Sequence, residues 1–410
     1  MTTRPIRIAV VASLYPNREQ PRHGIFVEER LRALVASGAV EARVIAPVPW
    51  FFSRHPRFGR YARMAAVPRQ ETRHGLTIAH PRYVVLPRIG MTWTPASYAR
   101  AVAPALASLR RDGFDFDLID AHYLYPDGVA AARLARRFNR PLTLTARGAD
   151  INQIARMPVP GRQIREAAAW AGGLIGVSAA LSEAMACLGV DPRRLVTLRN
   201  GVDLSRFTAM PRAQARAALG WSMPTWLCVG HLIERKGMHI AIEALAGQPG
   251  VQLVLVGDGP EESALRTLAA QHGVADRVHF VGAVAHDDLP VYFSAADVLM
   301  HAAGSEGMPN VVLEAMACGC PVIATPVGGI PEVLSALPAG VLMTERSAVA
   351  MQDAWHALLA AEDDDAMRAA RRRHAESFDW APTTAGQIAL FSRLTGITPP
   401  DGTPTTAAVS

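Results

Sequence analysis

Lysine is almost missing from this 410-residue chain, where Lys236 stands alone against 41 arginines. Cysteine is scarce as well. The four present, Cys187, Cys228, Cys318 and Cys320, have no zinc-site spacing and read as small core residues of a protein in a reducing compartment. No apolar run reaches the about 20 residues of a membrane helix. The most apolar stretch, residues 167–181, contains Gly172-Gly173 and reads as a buried helix followed by a strand. Residues 6–12 are too short for a signal-peptide core and run into Tyr15-Pro16-Asn17, so no targeting segment is expected. Zinc fingers and RNA-recognition signatures are missing too, and nucleic acid is not an expected partner.

What is present is a globular composition, 50% hydrophobic and 19% charged. The length exceeds one ordinary core, so two domains of roughly 200 residues are expected. Their charges differ. Residues 1–205 carry 29 arginines and 15 acidic residues, a net of +14, whereas the remainder has 13 basic and 21 acidic, a net of −8. A basic first half suits a polyanionic neighbour such as anionic lipid or a phosphorylated acceptor. Arginine-rich usage with a solvated surface is the other reading. Trp50-Phe51-Phe52, Phe58 and Tyr61, interleaved with Arg54, Arg57, Arg60 and Arg63, form a basic-aromatic stretch fit for an anionic membrane surface. Pro56 breaks any long helix there, and a solvated loop is the alternative.

Strand-like runs alternate with helical patterns, which predicts an α/β protein with mostly parallel sheets. In the first half strands are expected at 7–13, 42–46, 118–121, 142–146, 174–177 and 195–198, with helices from about Ile25 and over 128–138. Asn200-Gly201-Val202-Asp203 signals a turn at the domain junction. A second doubly wound unit follows, with strands at 225–229, 252–256, 278–281, 298–301 and 321–324 and helices at 239–246 and 261–272. The expected division is 1–203, 204–378, a helix at 379–394 packing back on the first domain, and a disordered Thr/Pro/Ala-rich tail at 395–410.

The residues richest in chemistry lie at 304–319. Gly304-Ser305-Glu306-Gly307-Met308-Pro309-Asn310-Val311 follows a strand and opens a helix, with Pro309 near its first position. Glycines allow a ligand close to the backbone, and amides at Asn310 and Val311 would face an anion such as a diphosphate. Glu306 and Glu314, the second expected about two turns into the helix, are acceptor-only groups suited to sugar or ribose hydroxyls. Glu314 lies among Val311, Val312, Leu313, Ala315, Met316 and Ala317, where a charge needs a reason. An exposed Glu on an amphipathic helix is the plainer reading. Lys236, in Val229-Gly230-His231-Leu232-Ile233-Glu234-Arg235-Lys236-Gly237, escaped whatever bias favours arginine elsewhere. A compact ammonium with rotatable donors suits a departing diphosphate.

The stretch from Glu306 to Glu314, continued by Ala315 to Thr325 and Gly328-Gly329, resembles the signature of glycosyltransferase family 4, in which two Glu are separated by seven residues. The resemblance extends over nearly the whole chain. It implies retaining glycosyltransferases built from two facing Rossmann-like doubly wound domains, the GT-B architecture, with a cleft between them. It further implies that Glu306 meets the donor sugar, that Gly307, Met308, Pro309, Asn310 and Val311 lie near sugar and phosphate, that Glu314 holds the ribose, and that Lys236 meets the diphosphate. Gly230, His231, Arg235 and Val281 complete the donor side. His231 stands where the family often has Arg, and either it or Arg235 would supply a second charge. On the acceptor side the resemblance implicates Gly24, His122, Asp127 and Asp150, with Gly24 alone where paired glycines are common. Arg147 falls at the family's His position and is read as electrostatic rather than a proton shuttle, with a salt bridge to Asp150 as the structural alternative.

The expected function is transfer of a sugar from a nucleotide-diphosphate sugar to a saccharide acceptor, lipid-linked, in surface polysaccharide assembly. No cofactor or catalytic metal is expected, since positive groups take the metal's part. The expected location is the cytoplasm, peripheral at the inner face of its membrane. A nucleotide-sugar epimerase of the same architecture and a non-catalytic binding protein are the competing readings. A phosphorylase would need a pyridoxal-phosphate lysine, and the only lysine already sits on the diphosphate loop.

Overall fold

Short Val/Ile/Leu runs alternating with helices produce parallel strands, because each crossover returns the chain to the same end of the sheet. The computed structural model describes residues 3–85, 90–334, 340–361 and 363–400. The chain forms two units, the first running to Arg199 and resuming at Trp380, the second spanning Asn200–Asp379.

The first unit contains β1 (Ile6–Val11), β2 (Val40–Ile45), β3 (Val48–Pro49), β4 (Gln70–Arg73), β5 (Leu76–Ala79), β6 (Arg82–Tyr83), β7 (Leu118–His122), β8 (Leu142–Ala146), β9 (Gly173–Gly176) and β10 (Leu195–Thr197). Among the described residues its main sheet has eight strands in the order β10-β9-β8-β7-β1-β2-β5-β4, with β3 and β6 forming a separate pair. Among the described strand pairs of this sheet, β4–β5 is antiparallel and the others are parallel. The order reverses at β1, and β7, the next strand of the parallel winding, lies on its other side. Carboxyl-end loops diverge at such a reversal, leaving room for ligands.

The second unit has β11 (Thr225–Val229), β12 (Gln252–Val256), β13 (Val278–Gly282), β14 (Val298–His301), β15 (Val322–Ala324) and β16 (Gly340–Leu342). Among the described residues these form one sheet in the order β13-β12-β11-β14-β15-β16. Here the reversal falls between β11 and β14, which pair Trp226 with Val298 and Leu227 with Leu299. Trp226 is fully buried and meets Trp355 edge-on, with ring centroids 5.6 Å apart.

Strands at the expected sites reappear within about two residues. The pairs β3–β6 and β4–β5 and the edge strand β16 are additions, being short and lacking long β-branched runs. Three cysteines are buried, but Cys187, at the end of the helix Ala179–Cys187, is exposed. The expected disordered tail is corrected for residues 395–400. Thr398 pairs with Thr3 in a parallel bridge and Ile397 packs against the first unit's core. Residues 401–410 lie outside the described residues.

The helix Trp380–Thr395 belongs to the first unit although the second unit precedes it. Phe391 is fully buried among Ile8, Val10 and Leu118. A Cβ on Gly173 would come within 2.9 Å of Leu390, so the bare strand surface lets this helix approach. Phe391→Ala is therefore expected to cost roughly 3–5 kcal/mol, read as a lowered urea midpoint for the intact chain.

Candidate active site

Neighbouring strands place their following loops side by side, and this brings Lys236 to Glu306. Lys236 ends a short turn after β11, and Glu306 lies in the loop after β14. Lys236 Nζ is 2.6 Å from Glu306 Oε1. Gly237, at φ 75°, closes the lysine turn, and a Cβ there would stand 2.0 Å from the Ala302 carbonyl oxygen. Only glycine lets the loops touch so closely. They are also tied by Arg235, whose guanidinium donates to the Ser305 carbonyl at 2.8 Å while its own carbonyl accepts from the Gly304 amide at 2.8 Å. Arg235 thus braces the site. From the other side Gly329 donates to the Gly307 carbonyl at 2.8 Å.

Below the pair is a residue that the sequence reading did not single out. His301, the last residue of β14, is buried and places Nε2 3.3 Å from Glu306 Oε1. A histidine ending an otherwise apolar strand five residues before Glu306 was the available signal. Burial pushes the Glu306 carboxyl up, but Lys236 and His301 outweigh it and hold the pKa at about 2. Glu306 is therefore ionised at neutral pH, able only to accept hydrogen bonds.

The helix carrying Glu314 is Asn310–Ala317, and Pro309, with extended ψ of 105°, is its cap rather than its first residue. Glu314 is hence one turn into the helix, not two. It is buried, and His286 Nε2 lies 3.1 Å from Oε1. Asn310 Oδ1 accepts from Asn200 Nδ2 at 2.9 Å. Gly307, Met308 and Pro309 are buried and Val311 is half-buried. Gly230, at φ 149°, donates to the Val256 carbonyl at 2.9 Å. His231 is exposed and turns Nδ1 to the Asp258 carbonyl at 2.5 Å, linking the loops after β11 and β12. Val281 is an exposed residue of β13, an edge strand two places from β11, and so lies away from the loops that carry Lys236 and Glu306.

In the first unit β7 and β8 are neighbours, so His122 and Arg147 emerge together. Arg147 Nη2 is 2.7 Å from His122 Nδ1, and His122 Nε2 is 3.2 Å from Asp120 Oδ2. Asp120 also accepts from Thr143 at 2.7 Å and from Gln387 at 3.1 Å, and Gln387 in turn accepts from Arg30 at 2.8 Å. Burial, opposed by Asp120 and assisted by Arg147, pushes His122 down to about 4. The ring is neutral at pH 7, buried, and orients Arg147 from behind. Burial and Arg30 also press on Arg147, but a guanidinium retains its proton. The Arg147 side chain stacks over Phe26 at 5.1 Å.

Asp150 accepts from the backbone amides of Leu124, Arg147, Gly148 and Ile151 at 2.8–3.2 Å. What joins Arg147 to Asp150 in these bonds is the backbone amide. Asp127 is fully buried and accepts from the Ser13 amide, from Ser13 Oγ at 2.9 Å and from Tyr98 Oη at 2.7 Å. It anchors the loop after β1. Gly24, at φ 73°, caps the helix Ile25–Ala36, and a Cβ there would come within 2.4 Å of Leu14 backbone. Asp120, Arg30 and Gln387 were missed because nothing in their local sequence shows that three distant segments meet.

Solved structures share this two-unit fold. Sucrose-phosphate synthase from Thermosynechococcus elongatus has a TM-score of 0.77 at 23% identity, covering 96% of this chain and 100% of that one. HepE of Anabaena, in complex with UDP-glucose, has a TM-score of 0.69 at 22% identity, covering 93% and 98%. The fold class is GT-B. In sequence, the profile described as Glycosyltransferase Family 4 matches residues 24–206 and that described as Glycosyl transferases group 1 matches 213–376. TuaC of Bacillus subtilis, named as a teichuronic acid biosynthesis glycosyltransferase, is 32% identical over 337 residues, 79% of this chain and 82% of TuaC. The D-inositol 3-phosphate glycosyltransferase of Mycobacterium tuberculosis is 35% identical over 219 residues, 51% of this chain and 45% of that protein. The chain belongs to glycosyltransferase family 4, and it is a transferase enzyme.

Two pH experiments follow from this geometry. A carboxyl held near 2 stabilises the fold above its unfolded value of about 4.3, and that stability is lost as pH falls toward 2. Lys236→Met removes the opposing charge, so Glu306 should bind a proton in the folded state and the variant should favour pH 5 over pH 7 by more than the wild type does. Adding Glu306→Gln should return that difference to its wild-type size in urea titrations. Burial raises Asp127 to about 7 despite its hydrogen bonds. A raised carboxyl makes the fold more stable at low pH, with stability falling as pH climbs from about 4 to 7 by at most roughly 1.4 kcal/mol per unit. Asp127→Asn should flatten that slope, and an unchanged slope would show that Asp127 is ionised throughout.

Proposed function

We propose that this glycosyltransferase moves a sugar, with retention of anomeric configuration, from a nucleoside-diphosphate sugar to a lipid-linked saccharide in surface polysaccharide assembly. The observation that carries the reading is the Lys236–Glu306 pair at the strand reversal of the second sheet, with Glu314 one turn into the adjoining helix. An ammonium has three donors. One spent on Glu306 leaves two for the oxygens of a leaving diphosphate, where fixed positive charge lowers the barrier. Glu306, ionised and acceptor-only, suits the hydroxyls of the donor sugar, and Glu314 those of the ribose. First-turn amides at Asn310 and Val311 favour phosphate oxygens. Arg147 is assigned an anionic oxygen on the acceptor side. HepE, a structural neighbour solved in complex with UDP-glucose, and TuaC, named for teichuronic acid biosynthesis, support this choice of donor and process.

The location proposed is the inner face of the cytoplasmic membrane. Between Ala42 and Arg111 there are 12 arginines and a single acid, Glu71, which lies 2.7 Å from His80. Trp50, Phe52, Tyr61, Val84, Val85 and Trp93 are all exposed in this segment. Trp50 donates to the Tyr83 carbonyl and Val84 to Ser97 Oγ, so these residues share one rim of the first unit. Arg57 and Arg60 stack on Phe58 and Tyr61 at 4.7 and 5.0 Å. Each arginine near an anionic surface contributes about 1 kcal/mol. Among the described residues no helix is long and apolar enough to cross a membrane.

The test supplies radiolabelled UDP-, GDP- and ADP-sugars with membrane-extracted lipid acceptor, with a soluble saccharide, or with neither. Labelled lipid product of retained configuration, undiminished by EDTA, is expected, with Lys236→Met and Glu306→Gln lowering kcat at least about 100-fold. Labelled product in the soluble fraction alone removes the lipid acceptor. Nucleotide binding without release removes catalysis. For the membrane, co-sedimentation with phosphatidylglycerol vesicles but not phosphatidylcholine vesicles is expected, lost on reversing Arg54, Arg57, Arg60 and Arg63 to Glu.

A further inference from the structure

Glu314 is a buried carboxylate in a helix whose only other polar side chain is Asn310, and a buried carboxylate is tolerated where donors are aimed at it. Its donor is His286, in the turn between β13 and the helix Leu289–Ala295, with Nε2 3.1 Å from Glu314 Oε1. The other ring nitrogen, Nδ1, lies 3.0 Å from Arg206 Nη1. A guanidinium can only donate, so Nδ1 accepts and the ring proton sits on Nε2, pointing at Glu314. Arg206 is fixed in turn. Its Nε is 2.8 Å from Asp287 Oδ1, and its backbone amide donates to Asp203 Oδ1 at 3.1 Å. Phe207, buried beside it, meets the imidazole edge-on at 5.1 Å between centroids. Three segments far apart in sequence, the turn at 203–207, the turn at 286–288 and the helix Asn310–Ala317, thus converge on one carboxylate.

We infer that His286, backed by Arg206, is a positioning residue for nucleotide recognition: it spends Glu314 Oε1 on a fixed N–H and so presents Oε2 to the ribose hydroxyls of the donor. This rests on the reading of Glu314 as the ribose partner. Neither residue is assigned a contact with the transferred sugar. Arg206 sets the tautomer, His286 sets the plane of the carboxylate, and Glu314 makes the contact. A carboxylate free to rotate would lose part of its affinity to the cost of ordering it on binding.

The experiment uses the full chain and calorimetric titration with UDP, GDP and ADP, each beside its 2′,3′-dideoxy form. For the nucleotide that the wild type binds, removal of the hydroxyls should weaken binding. His286→Ala should weaken the natural nucleotide about tenfold and leave the dideoxy form unchanged. His286→Gln, whose amide nitrogen reaches the Nε2 position, should recover most of the loss, and Arg206→Lys should give a smaller loss of the same pattern. In turnover the change should appear in the donor KM with kcat nearly constant. Equal weakening of both nucleotide forms by His286→Ala, or no recovery with Gln, overturns the proposal, since a general structural role predicts that result. If His286→Ala does not fold, the Gln and Lys variants carry the same comparison. A wild type that binds both forms equally removes the ribose role of Glu314 and the proposal with it. Binding of none of the nucleotides removes the nucleotide-sugar reading itself.

Discussion

An ammonium 2.6 Å from a carboxylate, on loops that leave adjacent strands, is the contact around which the second unit's polar centre is arranged. Burying either charge alone is costly, and the pair is tolerated because each neutralises the other with a histidine beneath. Geometry does the rest. Gly237 lets the lysine loop lie against Ala302, and Arg235 clamps that loop to Ser305 and Gly304. The arrangement also accounts for the single lysine. A guanidinium is wider and planar, and the residue that takes part in bracing, Arg235, is the one placed to use that shape.

Each unit repeats one device, an imidazole between a guanidinium and a carboxylate, buried in the first unit and half-buried in the second. In the first, Arg147 meets His122 Nδ1 and His122 meets Asp120; in the second, Arg206 meets His286 Nδ1 and His286 meets Glu314. The order fixes the tautomer in both cases. The further partners differ. In the first unit the carboxylate is also bonded by Thr143 and Gln387. In the second the arginine is paired with Asp287. Burial pushes His122 down to about 4, so its neutral imidazole is a rigid spacer and not a group poised near 7 for proton transfer.

Much of the fold was legible, because parallel strands buried on both faces read as Val/Ile/Leu runs and their crossovers as helices. The short pairs β3–β6 and β4–β5 were not, since two to four residues carry no period. At the site, Glu306, Glu314 and Lys236 stood out by chemistry against their surroundings. His301 had a weak signal as the polar end of an apolar strand. His286, Arg206, Asp120 and Gln387 had none, as each is an ordinary polar residue in a turn, strand or helix until its partner is known. Asp127 and Asp150 were legible as carboxylates near the carboxyl ends of strands, but the donors they satisfy are internal amides and hydroxyls.

By itself the sequence determined the alternation of strands and helices, the two-unit division near Asn200, the acidic pair spaced along one segment and the isolation of the one lysine. These are local properties, set by periodicity, turn chemistry and composition. Only the tertiary structure decided that β11 lies beside β14 and β7 beside β8, and hence which loops share a rim. Strand order arises from how helices pack on both faces of a twisted sheet. That is a contest between whole elements, so it is written in no single stretch of chain, and the meeting of Lys236 with Glu306 across about 70 residues follows from it.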